Sequence, residues 1–438
     1  MLLSVKVGQV ANLRPIANRP ARAKIVLASC FIVAALSSAC RPQPNDPVLR
    51  YVQLAVALGE RDPDSIDYYY GPEEWVADIR AHPPPPLAIK QAALELARKL
   101  HASKSPQRDW LIKQLNAIAA RADLARGAHV SFEDQARMFF DLRIPPPEST
   151  PDLNQIRREI DRLLPGNGNL AARYSSFDRR FLVPPERLPA VMDRAMQGCR
   201  EQTLRHLQLP PGESVSVEYV RNQPWNAYSF YQGKFHSLIR VNTDFPLTAD
   251  RILELACHEG YPGHHAYNIL VDAELVRREH RLEFTVQPTF SPQSLSSEAL
   301  ATYAPEIAFA KDERLQFERD VLFPLAGLPI KGAEVYLRVT RLIAELDPAQ
   351  VEISRAYVEG KLEWSRAAAA LEDQALMTET EPTLKYLNEF GSYMLTYTVG
   401  RSMVKRCFAK TESQHQWVLF QDLILGRRSI QQCAGGTP

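Results

Sequence analysis

The stretch that decides the fold is His258-Glu259-Gly260-Tyr261-Pro262-Gly263-His264-His265. It follows residues 252–257, in which apolar side chains recur at i, i+3 and i+4. That spacing predicts a buried helix that carries His258 and Glu259 into the interior. Buried imidazole and carboxylate groups need partners, because removing their water without compensation is costly. A divalent metal would satisfy all of them together, so the stretch predicts a metal site.

The spacing departs from the zinc-hydrolase pattern H-E-x-x-H, in which two histidines on one helical face bind zinc and the glutamate acts as base. Pro262 occupies the position of the second histidine, and His264 and His265 follow it. On an unbroken helix His265 would lie on the face of His258 but roughly 10 Å away. Pro262 and Gly263 therefore predict a kink or bulge, which could bring either His264 or His265 beside His258.

A catalytic zinc usually has three protein ligands and an open position for water. Glu298 is the predicted third ligand, because it lies on a helix of small residues whose distance along the chain allows an antiparallel return. Glu259 is the predicted general base, which takes a proton from metal-activated water and passes it to the leaving amine. Tyr393 and Tyr397 are candidates to stabilise the oxyanion, with core packing as the alternative role for both. The predicted cofactor is one Zn²⁺ per chain.

Composition excludes some functions and indicates the fold class. Lys and Arg number 52 against 51 Asp and Glu, and a net charge of +1 provides no strong field to bind nucleic acid or an anionic membrane. Helical patterns fill most of 87–208 and 330–426. Alternating runs at 214–220 and 237–242 predict a small antiparallel β-sheet just before the His258 helix. The prediction is a mainly α protein with β structure confined to the middle, and with aromatic, acidic residues 64–75 as a loop packed on the helices.

The N-terminus predicts a targeting segment. Basic residues precede the apolar run 25–36, and small residues lead to Cys40 as in a bacterial lipoprotein cleavage site. The run is too short for a comfortable transmembrane helix. We predict a signal segment over 1–40, a bacterial envelope location with lipid attachment at Cys40 as the sole membrane contact, and a free periplasmic form as the alternative. Residues 41–184 are predicted as an N-terminal helical subdomain and 185–438 as the catalytic part.

The remaining cysteines allow further predictions. Cys30 also follows small residues and is an alternative anchor, although little apolar sequence precedes it. Export permits disulfides, and Cys407 with Cys433 is the predicted pair, which would tie down the C-terminal tail. Cys257, next to His258 on a buried helix, is expected to be a small apolar filler.

With these residues in view, the chain resembles the DUF885 family of bacterial proteins, which are helical, regarded as zinc-dependent and peptidase-like, and often lipoproteins. The resemblance spans about residues 68–401, and the family's H-E-x-x-P-G-H-H is complete. The other matching positions are Asn242 and Thr243 on a strand, Glu298 and Ala301 on the acidic helix with Ala299 replacing the family's glycine, and Tyr397 and Gly400 on a late helix. The resemblance implies that Glu298 is a metal ligand; the family's substrate is not defined.

Similarity to zinc peptidases of the gluzincin kind implies a multi-helical body and a substrate role for strand 237–242. An extended peptide would pair with its open edge near Arg240 and Asn242, and a wholly internal strand is the alternative. The predicted function is an exported zinc metallopeptidase that acts on a peptide or peptide-like substrate. The alternatives are a non-catalytic envelope binding protein with a structural metal, and a metal-dependent amidase or esterase acting on a non-peptide substrate. Glu259 distinguishes the catalytic function from the structural-metal alternative, because a structural site has no use for an unligated carboxylate beside the metal.

Overall fold

The computed structural model describes residues 46–145, 152–223 and 225–435. The predicted signal segment 1–40, with Cys40 and Cys30, lies outside the described residues. Residues from Pro47 onward group into one unit. The predicted division at residue 184 is not tested by this grouping and stays a prediction.

The first part of the described chain is helical, as the sequence predicts. Local signals set the helix starts: Pro86 opens one helix from its first position, and the Ser131 hydroxyl accepts a hydrogen bond from the Asp134 amide at the start of another. The helices are α1 (Pro47–Gly59), α2 (Ala77–Ala81), α3 (Pro86–Leu100), α4 (Arg108–Leu124), α5 (Phe132–Phe140), α6 (Leu153–Leu163), α7 (Leu170–Asp178) and α8 (Leu188–Leu204).

The strands of the described residues form two small sheets. They are β1 (Ile66–Tyr69), β2 (Ser214–Val220), β3 (Ala227–Tyr231), β4 (His236–Asn242) and β5 (Val286–Pro288). In the three-stranded sheet β4 is central, parallel to β2 and antiparallel to β3. The second sheet pairs β1 with β5 in antiparallel fashion. The prediction that β structure is confined to the middle is therefore wrong, because part of the 64–75 stretch is a strand and not a loop.

Helices dominate the rest of the described chain. They are α9 (Ala249–Leu255), α10 (His264–Val271), α11 (Pro292–Ala308), α12 (Lys311–Phe317), α13 (Phe323–Ala326), α14 (Ala333–Ala344), α15 (Asp347–Val358), α16 (Trp364–Gln374), α17 (Thr380–Phe390), α18 (Val399–Ala409), α19 (Gln416–Ile424) and α20 (Ile430–Cys433). None of the helices in the described residues has the length and apolar composition needed to cross a membrane.

The helix that carries Glu298 and the helix that leads to His258 are anchored in buried apolar clusters. Leu295 and Ala299 of α11 pack in a cluster formed largely by the C-terminal helices. Ile252 and Leu253 of α9 pack in a second cluster with α8 and α14, and Ala304 of α11 reaches that cluster too. Because α11 contributes to both clusters, its position relative to α9 is fixed along its length.

Two disulfides lie in the described residues. Cys407 is bonded to Cys433, which confirms the predicted pair and ties α18 to α20. Cys199 of α8 is bonded to Cys257. The prediction that Cys257 is only an apolar filler is wrong, because Cys199 from the facing helix α8 lies within bonding reach of it.

Candidate metal centre

The segment that carries the histidines is two helical pieces separated by a turn. After α9 the chain forms a π-helical turn over Ala256–Gly260, which holds His258. The Tyr261–Pro262 peptide bond is cis. Helix α10 then begins at His264. The predicted interruption at Pro262 and Gly263 is thus present, and it separates the candidate ligands onto different elements.

Gly263 allows these two pieces to approach closely. Its amide donates a hydrogen bond of 3.0 Å to the Cys257 carbonyl. A Cβ atom at this position would lie 1.9 Å from the His258 carbonyl oxygen, so only glycine fits. The result is that the rings of His258 and His264 lie 4.7 Å apart, centroid to centroid.

His258, His264 and Glu298 bring their ligand atoms to one point. Oε2 of Glu298 lies 3.3 Å from Nε2 of His258 and 3.4 Å from Nε2 of His264. Adjacent ligand atoms of a tetrahedral zinc with bonds of about 2.0–2.2 Å are about 3.3–3.6 Å apart. The same Oε2 atom is buried and has no hydrogen-bond partner in the described chain. The donor chemistry, the spacing and this orphaned oxygen all fit a divalent cation such as zinc.

The pKa shifts of the donor set also fit a bound cation. Burial alone would raise the pKa of Glu298, but His264 and His258 hold it well below its ordinary value. Burial lowers the pKa of His264, but the negative charge of Glu298 and of nearby carboxylates outweighs this and raises it to about 9. Without a cation, a proton on His264 therefore balances the buried carboxylate. A metal would replace that proton.

Neighbouring groups orient two of the ligands. Nδ1 of His264 lies 3.1 Å from the Ser297 hydroxyl, which leaves Nε2 for the site. The Tyr393 hydroxyl donates to Oε1 of Glu298 at 2.8 Å, which leaves Oε2 for the site. Contacts of this kind fix ligand orientation in metal sites.

Close helix packing positions Glu298. A Cβ atom on Gly400 of α18 would lie 2.9 Å from the Ala299 Cβ of α11. The predicted close approach at the small residues beside Glu298 is therefore present, and it brings Tyr393, just before α18, within reach of the carboxylate.

His265 lies away from the donor set. Its side chain is fully buried, with Nδ1 2.8 Å from the Ser237 hydroxyl and Nε2 2.9 Å from Oε2 of Glu213. Of the two histidines that the spacing left open, the structure brings His264 to His258. Including His265 among the ligands does not agree with this geometry, because both of its ring nitrogens already have partners.

Glu213 is a residue that the sequence reasoning missed. It also receives hydrogen bonds from Tyr261 and Arg200. Burial would raise its pKa, but the hydrogen bonds from His265, Tyr261 and Arg200 lower it to about 2. Glu213 therefore stays ionised. It connects the chain before β2 to Tyr261 and His265, which lie on either side of the turn at Pro262 and Gly263. An isolated glutamate in a loop gives no local signal of this role.

Glu259 lies beside the donor set without a partner. Only 5% of its surface is exposed, and no hydrogen bond or ion pair from the described residues reaches its carboxylate. Burial raises its pKa, and the charges of His258 and His264 partly oppose that rise. A buried carboxylate without a partner is costly, and a raised pKa suits a proton acceptor working near neutral pH.

The two candidate tyrosines have different surroundings. Tyr393 is buried, and its hydroxyl interacts with Ser294 at 3.0 Å as well as with Glu298. Tyr397 is partly exposed, and its ring lies 6.1 Å from the His258 ring. Tyr393 therefore holds the Glu298 carboxylate, whereas Tyr397, which solvent reaches, interacts with Tyr386. Burial raises the pKa of Tyr397 well above its usual value, so it keeps its proton.

The strand β4 does not offer the open edge that one alternative required. It is hydrogen-bonded to β2 and β3 on its two sides, so the internal-strand alternative is the one found. Asn242 is fully buried and its side-chain amide donates to the carbonyls of Gln223 and Trp225. Arg240 pairs with Glu218 at 2.7 Å. The assignment of Arg240 and Asn242 as substrate-binding residues is corrected accordingly, because their polar groups hold the sheet and its flanking loop together.

Asp67 of β1 is a second residue that the sequence reasoning missed. Burial raises its pKa to about 6; the charge of Glu298 adds to that rise and the charge of His264 opposes it. Its carboxylate accepts hydrogen bonds from Thr289 at 3.0 Å and Tyr228 at 3.2 Å. The acidic and aromatic composition of 64–75 is the available signal, but it also fits a loop packed on the helices.

Comparisons with known proteins give weak similarity. No protein-family model and no curated protein matches the chain. Among solved structures, the fold is similar to a "putative lipoprotein" from Colwellia psychrerythraea, with a TM-score of 0.48, 15% identity, 79% of this chain and 66% of that chain covered. It is also similar to a "putative lipoprotein of unknown function" from Shewanella oneidensis, with a TM-score of 0.44, 13% identity, and 82% and 74% covered.

A third similar structure, described only as BsuCP, has a TM-score of 0.42 and 11% identity, with 87% of this chain and 88% of that chain covered. This chain spans just under two thirds of the Colwellia protein's length. Similarities at this level transfer no residue roles to the present chain.

Proposed function

We propose that the chain is an exported zinc-dependent hydrolase that cleaves peptide bonds. The observation that carries the proposal is the combination of a convergent donor set, His258, His264 and Glu298, with a separate buried carboxylate, Glu259, that has no partner in the described chain. A metal site with only a structural role would not need that carboxylate, which is costly to bury unpaired.

The chemistry divides among the residues. Zinc, when bound, polarises a carbonyl group and acidifies water. Glu259 accepts the proton of the attacking water as its oxygen bonds to the peptide carbon, and returns that proton to the nitrogen as the carbon–nitrogen bond breaks. The protonated hydroxyl of Tyr397 donates to the carbonyl oxygen as it gains negative charge. Tyr393 and Ser297 hold Glu298 and His264 in orientation.

The test compares Glu259→Gln with the wild type. The variant keeps size and hydrogen bonding but cannot accept a proton, so cleavage of a peptide library followed by mass spectrometry should fall by roughly 10²–10⁴-fold while zinc content is unchanged. Glu133→Gln, at an exposed position of α5, is the matched control and should behave as wild type. Normal turnover by Glu259→Gln would overturn the mechanism. Zinc-loaded wild type that cleaves neither peptides nor non-peptide amides and esters would favour a structural metal.

We further propose that Cys40 carries a lipid that holds the protein in the bacterial envelope. The order of basic, apolar and small residues before Cys40 supports this. Labelled fatty acid should enter the wild type and not Cys40→Ser; label retained in the variant would move the anchor to Cys30 or elsewhere.

A further inference from the structure

Asp67 lies at an irregular point of β1. In the pairing with β5, Ile66 lies opposite Pro288 and Tyr68 opposite Gln287, so Asp67 is the extra residue of a β-bulge. Bulges re-aim a side chain and are frequent beside active sites. Here the carboxylate of the bulged residue accepts hydrogen bonds from Thr289 and Tyr228, and the neighbouring Tyr68 donates to Asn268 of α10, the helix that begins at His264.

The carboxylate of Asp67 is held by one oxygen. Thr289 and Tyr228 both donate to Oδ1, and no described residue hydrogen-bonds to Oδ2. No Lys or Arg of the described chain forms an ion pair with it. Two neutral donors thus fix the orientation of the group, while no Lys or Arg side chain of the described chain pairs with its negative charge.

Asp67 also remains in contact with solvent although it lies deep in the protein. Its side chain is partly exposed, as are those of His258, His264 and Tyr397. Burial nevertheless raises the pKa of Asp67 to about 6, with the charge of Glu298 adding to the rise. Solvent therefore reaches Asp67 as well as the two imidazoles and the Tyr397 phenol.

Charge balance indicates what completes this site. A divalent metal would be held by His258, His264 and Glu298, whereas Asp67 is outside that donor set and has no Lys or Arg partner in the described chain. A cation on the substrate would supply the missing partner, and a primary ammonium matches a carboxylate whose free oxygen accepts hydrogen bonds. In peptides this group occurs at the N-terminus and on the lysine side chain.

We propose that Asp67 binds a primary ammonium group of the substrate, so that the enzyme acts on peptides whose free amino terminus reaches this carboxylate. This inference rests on the proposed peptidase function and adds the end of the substrate that is recognised. Asp67 is a substrate-binding residue in this proposal and takes no part in proton transfer.

The experiment measures binding to the zinc-loaded Glu259→Gln protein, which removes turnover from the readout. Twin peptides that differ only in N-acetylation are titrated and followed by calorimetry. The free peptide should bind roughly 10–100-fold more tightly than its acetylated twin, the range expected for a charged hydrogen bond. Adding Asp67→Asn should remove this difference. Adding Asp78→Asn instead, at an exposed position of α2, should preserve it.

A second pair of N-acetylated peptides, with lysine or norleucine as the first residue, distinguishes the two sources of the ammonium. Preference for the lysine peptide that is lost in Asp67→Asn would support recognition of an ammonium but place it on a side chain. Equal binding of free and acetylated twins, together with equal binding of the lysine and norleucine peptides, would overturn the inference even without the variant. Wild-type protein that cleaves peptides without regard to acetylation or lysine would overturn this inference alone. Absence of any peptide binding or cleavage would overturn the proposed function itself.

Discussion

The Tyr393 hydroxyl donates a 2.8 Å hydrogen bond to Oε1 of Glu298, the oxygen turned away from His258 and His264. One carboxylate oxygen is thereby held by a buried phenol, and the other is left without a hydrogen bond among the two imidazoles. The orientation of the acidic ligand therefore depends on a residue that itself has no contact with the metal position.

Tyr393→Phe tests this relationship. Removing the hydroxyl frees Glu298 to rotate, and we expect zinc affinity to fall by about 10–100-fold, the usual effect of losing a group that orients a ligand. Competition with a chelating dye measures the affinity. Tyr397→Phe is the matched control, because it removes a phenol hydroxyl close by without touching Glu298. Unchanged affinity in Tyr393→Phe would show that the carboxylate is held by other means.

Separate alanine variants at His264 and His265 should have opposite effects. His264→Ala removes a donor and should lose most bound zinc in elemental analysis. His265→Ala should keep zinc but lower the free energy of unfolding, because the buried Ser237 hydroxyl loses its partner and Glu213 loses one of its hydrogen bonds, at about 1–3 kcal/mol each. Thermal denaturation of the two metal-free variants measures the second effect. Zinc loss in His265→Ala with full zinc in His264→Ala would reverse the assignment.

Zinc affinity should depend on pH through His264. In the metal-free chain its pKa is raised to about 9, so below that value zinc must displace one proton. Zinc affinity should therefore rise by about tenfold per pH unit between about pH 7 and 9, and level off above pH 9. Titration with a dye calibrated at each pH measures this. A pH-independent affinity over that range would contradict the protonated state of His264.

Tyr397→Phe should reduce turnover without weakening binding. If its hydroxyl stabilises the oxyanion, kcat falls by roughly 10²–10³-fold, and peptide binding to the Glu259→Gln, Tyr397→Phe double variant equals that of Glu259→Gln alone. Steady-state kinetics and calorimetry measure the two quantities. Full turnover in Tyr397→Phe would leave carbonyl polarisation to the metal.

Where local pattern decided the structure, sequence reasoning succeeded. The alternation over 214–220 gave β2 at its bounds, and Ser131 marked the start of α5. The strand β1 was missed because it has only four residues, all of them half-buried, so no alternation appears. Its partner β5 lies more than two hundred positions away, and no local signal announces such a pairing.

The candidate site likewise contains residues that the local sequence predicts and residues whose roles depend on tertiary structure. Residue types and spacing single out His258 and Glu259, and the family resemblance adds weight to Glu298 as a candidate. The choice of His264 over His265 depends on how closely the Gly263 backbone approaches the His258 carbonyl, a tertiary property that spacing does not contain. The split between Tyr393 and Tyr397 arises because residues 391–396 form a 3₁₀ turn where one continuous helix was expected. That turn begins at Gly391, which has a positive φ of 54°.

The disulfide between Cys199 and Cys257 involves the residue immediately before His258. It fastens the π-helical turn to α8. Whether this bond is formed in a given preparation therefore affects how firmly His258 is held in place. Protein produced in a reducing cytoplasm would carry two thiols here, and protein from an oxidising compartment would carry the bond. Two batches of identical sequence would then differ in metal content, and a weakly active batch would reflect its production host and not the chemistry of the site.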